Sequence, residues 1–501
     1  MKHKIFILII FSALLRCILA SVIEFGNDEV YYWTYSLHLQ ASYFDHPPLV
    51  AVFIRFFTLN LKLNNELFVR LTAIIGSAIN TWLMYKIVSC IKNEKAGWYA
   101  ALLYTACVYT SIISGFFMLP DSPQVVFWLW CVYLLIKIFI LQKKQNQNLL
   151  LFGICTGVAT MCKIHGIYLW FAAGLFILFF DRAQLKNKYV YIAGLITLFI
   201  ISPIFIWNYN NHFITYQYQG GRVTINNSIR LSSFTKEISG EFLYANPIVF
   251  VLICLTLIRV IRRSLYTPNK RLFYLLIFLS LPLIFVCWSV SLFRDTLPHW
   301  TGPAYISLLI FCAFYADECF KMESFRRWLN AANVLLLSIL LLAYIAINFL
   351  PISLGKQDAE NLGSGDFTMD IYGWQSFSKA FEQLKNNDVQ THTMRSGAVI
   401  ISNKWFPAAH LDYYVAHPLN MKLYAFGPLF DIHNFAWLNE QNGALKKGTN
   451  AYYISPSNYS SIPGSIYKKA FAVVEAPVVI HLYRNKTAVR NFYIYRMKDY
   501  K

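Results

Sequence analysis

The feature that most limits what this chain can fold into is a succession of long apolar runs, separated by short polar stretches, that continues to about residue 350. A helix needs about 20 mainly apolar residues to cross a bilayer, within a range of about 17–25. By that measure eleven spans are expected, at about 5–23, 68–90, 97–116, 123–141, 149–162, 167–180, 189–207, 247–261, 272–292, 302–316 and 330–350. The fifth and sixth are short and share the polar turn Lys163-Ile164-His165-Gly166. The first opens Met-Lys-His-Lys and has the outline of a signal peptide. Its apolar stretch is long, however, Arg16 interrupts it, and no clear small-residue cleavage site follows, so a retained first span is expected. Composition agrees. The 501 residues are 57% hydrophobic and 14% charged, against about a quarter charged in soluble domains. An ordinary cytosolic enzyme is excluded, and so is a disordered or fibrous chain.

Positive charge orients the spans. With the N-terminus cytoplasmic, the inside segments Lys86 to Lys95, Lys137 to Lys144, Arg182 to Lys188, Arg259 to Arg271 and Lys321 to Arg327, together with Lys2 and Lys4, hold nineteen Lys and Arg. The opposite loops hold seven, although they are longer in total. That is the positive-inside bias, and it accounts for the net charge of +19 better than a nucleic-acid partner does. An odd number of spans then puts the tail outside the cytoplasm. Two domains are expected: residues 1–350 as the transmembrane module and 351–501 as a periplasmic soluble domain. Segments such as Gly397 to Ile401 and Ala472 to Ile480, with the helix-like Trp374 to Leu384 between them, make the tail a small α/β domain. It either helps select an acceptor or serves as a stabilising cap. All ten cysteines precede it, without a CxxC pair or a Cys/His cluster, and read as small buried residues.

Acidic residues, histidines, prolines and aromatics gather in the outer segments 24–67, 117–123, 163–166, 207–246 and 293–301. A transporter or lipid flippase would more often carry its ionisable residues mid-span. Here almost none lie there, so a site at the outer interface is expected. The first outer loop reads Asn27-Asp28-Glu29-Val30-Tyr31-Tyr32-Trp33. A carboxylate there can take the proton of an acceptor hydroxyl. Equally, Asn27 can cap a helix whose first turn holds Asp28 and Glu29. The turn Asp45-His46-Pro47-Pro48 is rigid and extended, with His46 as a structural residue or a donor to an anion. Asp121 follows Pro120 at a span start, where a helix cap is its plain alternative. Lys163 and His165 sit in the turn between two short spans, for a lipid phosphate or for snorkelling. Arg222 follows Gly220-Gly221, and Arg294 precedes Pro298-His299-Trp300. Together the outer face offers carboxylates for base chemistry and Lys163, Arg222, Arg294 and His299 for an anion. That suits group transfer from a phosphorylated lipid. No phosphate-binding loop, GxSxG, HExxH or nucleotide fingerprint is present.

The Asn-Asp-Glu-x-Tyr-Tyr-Trp segment, the Tyr43-Phe44-Asp45-His46-Pro47-Pro48 turn, Pro120-Asp121-x-Pro123, Lys163-x-x-Gly166, and Trp207-Asn208 with Gln219-x-x-Arg222 occur in this order. They resemble bacterial membrane glycosyltransferases of the GT-C fold, in the group that contains protein O-mannosyltransferases and the lipid A aminoarabinose transferase. The resemblance covers roughly residues 5–320. It implies an inverting transfer of a sugar from a polyprenyl-phosphate donor, such as undecaprenyl phosphate, on the periplasmic side of the inner membrane. The acceptor it implies is lipid A or lipopolysaccharide, another envelope glycan, or protein. It further implies Asp28 as catalytic base with Glu29 beside it, Asp121 as a second acidic position, and Lys163 and Arg222 near the donor phosphate. Aminoarabinose transferases tend to have lysine where this chain has His46. Some relatives use a divalent cation with paired acids, and Asp28 and Glu29 are the pair available for one here. The classes that remain beside a transferase are a transporter or flippase, and a catalytically silent scaffold.

Overall fold

The computed structural model describes residues 1–224 and 228–501. Among these residues six helical stretches are long and apolar enough to cross a membrane: Lys2–Val22, Glu66–Ile91, Asp121–Phe139, Lys188–Asn210, Thr267–Ser291 and Met322–Phe349. At 1.5 Å per residue, their 19 to 28 residues reach about 28 to 42 Å, enough for a hydrocarbon layer of about 30 Å. The protein is a polytopic helical membrane protein.

The expected eleven spans exceed what length and composition give, because several apolar runs are broken. The run at 97–116 ends its α-helix Glu94–Ala106 at Cys107, where ψ is 128°, and continues as a π-helical turn, Tyr109–Ile113. The run at 247–261 is the helix Pro247–Arg262, which is too short alone and makes a seventh span only if it is counted with Leu231–Tyr244 across a 100° bend. Asn246 makes that bend. Its φ is 70°, its side chain caps the Ile248 N–H (3.1 Å), and its amide donates to the carbonyls of Ala106 and Ala332 (2.9 Å each). The run at 302–316 is the helix Gly302–Cys319, buried along nearly all its length as an all-apolar helix must be. Arg16, the cation inside the first span, is satisfied by the π-helical turn. Its guanidinium donates to the Ser111 carbonyl (3.3 Å) and hydroxyl (3.2 Å), as a charge at membrane depth requires.

The chain divides into two compact units: Met1–Leu19 with Gln40–Ile339, and Ala20–Leu39 with Leu340–Lys501. This differs from a single cut at 350 in one respect that matters. The segment 20–39, which carries Asp28 and Glu29, folds with the tail. The tail's core is a six-stranded mixed sheet in the order β2-β1-β3-β6-β4, with β5 also paired to β6. The strands are β1 Val399–Ser402, β2 Leu423–Ala425, β3 Ala451–Pro456, β4 Phe471–Val474, β5 Val478–Arg484 and β6 Thr487–Tyr500. β1 pairs parallel to β2 and β3, and β6 runs antiparallel to β3, β4 and β5. The expected strand at 472–480 is two strands, because Pro477 has no N–H for the ladder. β5 returns into β6 through Asn485-Lys486, with φ of 48° and 68°, the left-handed pair that a two-residue hairpin turn requires.

Arg484 at the end of β5 is fully buried. It donates to the carbonyls of Ile347 (3.0 Å), Leu350 (2.6 Å) and Ile352 (2.7 Å) and to the Thr368 hydroxyl (2.9 Å). A cation is thereby fixed on the last carbonyls of the helix Met322–Phe349. Arg484→Met is expected to cost about 3–5 kcal/mol by leaving those carbonyls and Asp366 without it. Thermal unfolding of the full chain checks this, and an unchanged midpoint would contradict it.

Candidate active site

In the unit that contains the tail, helix Asn27–Leu37 starts from Gly26, not from Asn27 as a cap. Glu29 Oε2 accepts the Gly26 N–H (3.1 Å) and closes the first turn as in a capping box. Asn27 is used elsewhere, its Oδ1 paired with His410 Nε2 at 2.9 Å. Glu24 accepts the N–H groups of Trp374 (2.8 Å) and Gln375 (3.0 Å), an anion at the N-terminus of helix Trp374–Gln390. The Tyr31 hydroxyl accepts the Asn434 N–H (3.2 Å) and that of Tyr414 the Phe25 N–H (2.8 Å). The loop is thus set by the tail, and Asp28 stands exposed while Glu29 is 1% exposed. Adjacent positions on a helix lie about 100° apart and do not face one another. With one carboxyl buried in a cap and the other exposed, this pair does not fit a shared divalent cation.

In the other unit, Asp121 opens helix Asp121–Phe139, and Lys163 directly follows helix Gln145–Cys162 with extended backbone (φ −154°, ψ 134°). The turn after Lys163 packs so tightly that a Cβ on Gly166 would lie 2.4 Å from the Thr160 nitrogen. This turn delivers Lys163 Nζ to Asp121 Oδ2 at 2.8 Å, with the two side chains only 5% and 3% exposed. The Tyr109 hydroxyl donates to Asp121 Oδ1 (2.8 Å), and Gln124 Nε2 donates to the Lys163 carbonyl (2.8 Å). One of the three ammonium protons is engaged by Asp121, which leaves donor capacity on Lys163.

The turn 43–48 lies against helix Ile214–Val223. The Thr215 hydroxyl donates to the Tyr43 carbonyl (3.0 Å), Gln219 Nε2 donates to the Asp45 carbonyl (2.7 Å), and the Phe44 and Tyr218 rings are 4.7 Å apart. Arg222 at the end of that helix lies over the Trp300 ring (5.0 Å) and the Tyr218 ring (5.7 Å), and His165 is 6.5 Å from Trp300 between ring centres. Burial, then the charge of Lys163, push His46 well below the usual imidazole range, with Asp121, Arg222 and His165 also acting on it. Burial, then Lys163, push His299 down to about 4. Both are neutral at pH 7. His46, Asp121, Lys163, His165, Arg222 and His299 therefore form one cluster. Arg294 does a different job: it donates to the Gly221 carbonyl, and to that of Thr224 at 3.5 Å, and so ties down the end of helix Ile214–Val223.

A pH dependence follows. The unfolded chain protonates His299 near its usual 6.5, the folded chain only near 4. Folded stability is therefore lost as pH falls from about 6.5 to about 4, by at most about 1.4 kcal/mol per unit from this residue. In melting curves between pH 7 and 4.5, His299→Asn should flatten the slope. Parallel curves for the two proteins would contradict this.

Sequence reasoning missed Tyr109, which lies inside a presumed span, and Glu237 and Glu241, buried on helix Leu231–Tyr244. The four-residue spacing of the two acids in an outer segment was their signal.

A polytopic helical unit with charged and aromatic loops, and a mixed-sheet unit at the C-terminal end, define the GT-C class of membrane fold. Comparison with known proteins agrees. Residues 45–207 match the profile of the family described as dolichyl-phosphate-mannose-protein mannosyltransferase. The lipid A galacturonosyltransferase RgtD of Rhizobium johnstonii is 23% identical over 287 residues, 57% of this chain and 59% of that protein. ArnT from Cupriavidus metallidurans superposes with a TM-score of 0.61 in its apo state, at 12% identity over 98% of both chains. Its complex with undecaprenyl phosphate gives 0.62 at 13% identity over 97% of both. The chain has the GT-C fold and is similar to ArnT and to the protein mannosyltransferases. The match to the curated relative spans less than two thirds of that relative's length.

Proposed function

We propose that the protein is an inverting glycosyltransferase that moves a sugar from a polyprenyl-phosphate donor, undecaprenyl phosphate in a bacterium, to an envelope acceptor such as lipid A or lipopolysaccharide. It resides in the inner membrane with its N-terminus cytoplasmic, and the C-terminal domain and the reaction are periplasmic. The observation that carries this reading is the buried Asp121–Lys163 pair with Arg222, His46, His165 and His299 about it. That is a cationic, largely desolvated cluster with no nucleotide-binding loop in the chain. The lipid A specificity of a relative and the undecaprenyl phosphate held by a structural neighbour support it.

In the reaction the Asp28 carboxylate takes the proton of the acceptor hydroxyl. The acceptor oxygen bonds to the anomeric carbon from the face opposite the leaving group, and the carbon–oxygen bond to the lipid phosphate breaks. Lys163 and Arg222 stabilise the charge that develops on the phosphate, while Asp121 and Tyr109 hold Lys163 in place. His46, His165 and His299 donate neutral hydrogen bonds at the same end. Glu29 fixes the turn that presents Asp28. The donor arrives activated, so no nucleotide is needed.

The test is transfer in lipid nanodiscs from undecaprenyl-phosphate sugars to lipid A, followed by mass spectrometry. Consumption of donor with release of undecaprenyl phosphate is expected. Movement of the donor across vesicles without its consumption would replace this reading with that of a flippase.

A further inference from the structure

Helix Leu231–Tyr244 carries two carboxylates one turn apart, Glu237 and Glu241, each 1% exposed. Only half of each carboxylate is satisfied. Glu237 Oε2 accepts the Thr296 hydroxyl (2.6 Å), and Glu241 Oε2 accepts Trp288 Nε1 (2.8 Å) and the Tyr305 hydroxyl (3.0 Å). Oε1 of both is buried without a hydrogen-bond partner. Glu241 also lines a small cavity, with Cys107, Tyr109, Tyr244, Thr301 and Tyr305 among its walls. The Thr301 hydroxyl donates to the Pro298 carbonyl (3.0 Å) and also stands close enough to the Glu241 carboxyl to favour its charged form. The walls are tight. A Cβ on Gly302 would come 2.2 Å from the Tyr109 ring, and one on Gly240 2.2 Å from Pro298. The cavity admits one water-sized group. Tyr109 has the cavity on one side and donates to Asp121 on the other.

A buried carboxylate oxygen without a donor is costly, and the cavity beside Glu241 is where its donor has room to sit. We infer that Glu241 is a specificity-determining residue whose Oε1 accepts a hydrogen bond from one hydroxyl or amino substituent of the donor's sugar. This rests on the transferase reading above. Burial, and in smaller part Glu237 one turn away, push Glu241 up to about 7, so above that pH Glu241 is an anion and a further anion in this place is unfavourable. The subsite therefore takes neutral or amino sugars and rejects one that presents a carboxylate there. The chain would thus differ in sugar from the galacturonosyl relative.

The experiment is competition among undecaprenyl-phosphate mannose, 4-amino-4-deoxyarabinose and galacturonate for the full-length protein in nanodiscs, with products weighed by mass spectrometry. At pH 8, where Glu241 is ionised, wild type should favour the neutral or amino sugar over the uronate by about tenfold or more. Glu241→Gln, equal in size but uncharged, should reduce that ratio by about tenfold, with binding of sugar-free undecaprenyl phosphate unchanged. Tyr305→Phe, which frees Oε2 of one donor and leaves the charge to lean more on the sugar, covers the case in which the first variant does not fold and should raise the ratio. Equal ratios in wild type and either folded variant would overturn the inference and leave the transferase reading intact. A wild type that prefers galacturonate would overturn it as well. No transfer from any donor by wild type would overturn both.

Discussion

Asp28→Asn is expected to reduce transfer by about 10²–10⁴-fold, the usual contribution of a positioned general base, and to leave the fold in place. The two halves of that expectation have separate physical grounds. Asparagine keeps the volume of the side chain and most of its hydrogen bonding, but it cannot take a proton. The cap of helix Asn27–Leu37 belongs to Glu29, whose Oε2 holds the Gly26 N–H, and not to Asp28. Removing one exposed anion from a first turn costs only about 0.3–1 kcal/mol. The contrast is Glu29→Ala, which should cost about 1 kcal/mol through the lost cap and disturb transfer only through that disorder. Steady-state rates and melting midpoints of the two variants check this. A melting loss without a rate loss in Asp28→Asn would contradict the assignment.

The second large effect is at the buried ion pair. Lys163→Met leaves Asp121 charged in a site that water does not reach, with Tyr109 as its remaining donor at 2.8 Å. Breaking such a pair from one side costs about 3–5 kcal/mol. Replacing both partners by uncharged groups costs far less, because neither charge is then stranded. Lys163→Met should therefore fold poorly, Asp121→Asn should fold poorly for the same reason, and the double variant should recover most of the lost stability. Activity should not recover with it, since the cation for the leaving phosphate is gone. A double-mutant cycle on both stability and rate separates the structural from the chemical part. Recovery of transfer in the double variant would remove Lys163 from the donor site.

Most of the site was legible because it is built from residue types that are out of place near hydrocarbon. Charges, histidines and prolines at span ends stand out in one dimension. His46, Asp121, Lys163, His165, Arg222 and His299, read from five separate segments, prove to share one cluster. Arg294 carried the same signal, yet its guanidinium serves loop carbonyls, which charge alone does not reveal. Tyr109 and Glu241 were hidden for opposite reasons. Tyr109 sits in an apolar run whose helix breaks at Cys107, and Glu241 sits in a polar segment whose burial comes from Trp288 and Tyr305, far off in sequence. Of the eleven expected spans, six or seven meet the length and composition of a crossing helix among the described residues. The expected run at 247–261 is the helix Pro247–Arg262, and what hydropathy does not show is the 100° bend before it, where Asn246 bonds to Ala106 and Ala332 and brings in the polar helix Leu231–Tyr244. The partnership of residues 20–39 with the tail was likewise invisible, because it rests on single long-range bonds such as Glu24 to Trp374.

The most direct test of the central claim is mass spectrometry of envelope lipids and glycoproteins from cells with the wild-type gene, with a deletion, and with Asp28→Asn at normal abundance. A sugar-sized mass present in wild type and missing from both of the others is the predicted result, and the molecule that loses it is the acceptor. An envelope altered by the deletion but unchanged by Asp28→Asn would contradict the account.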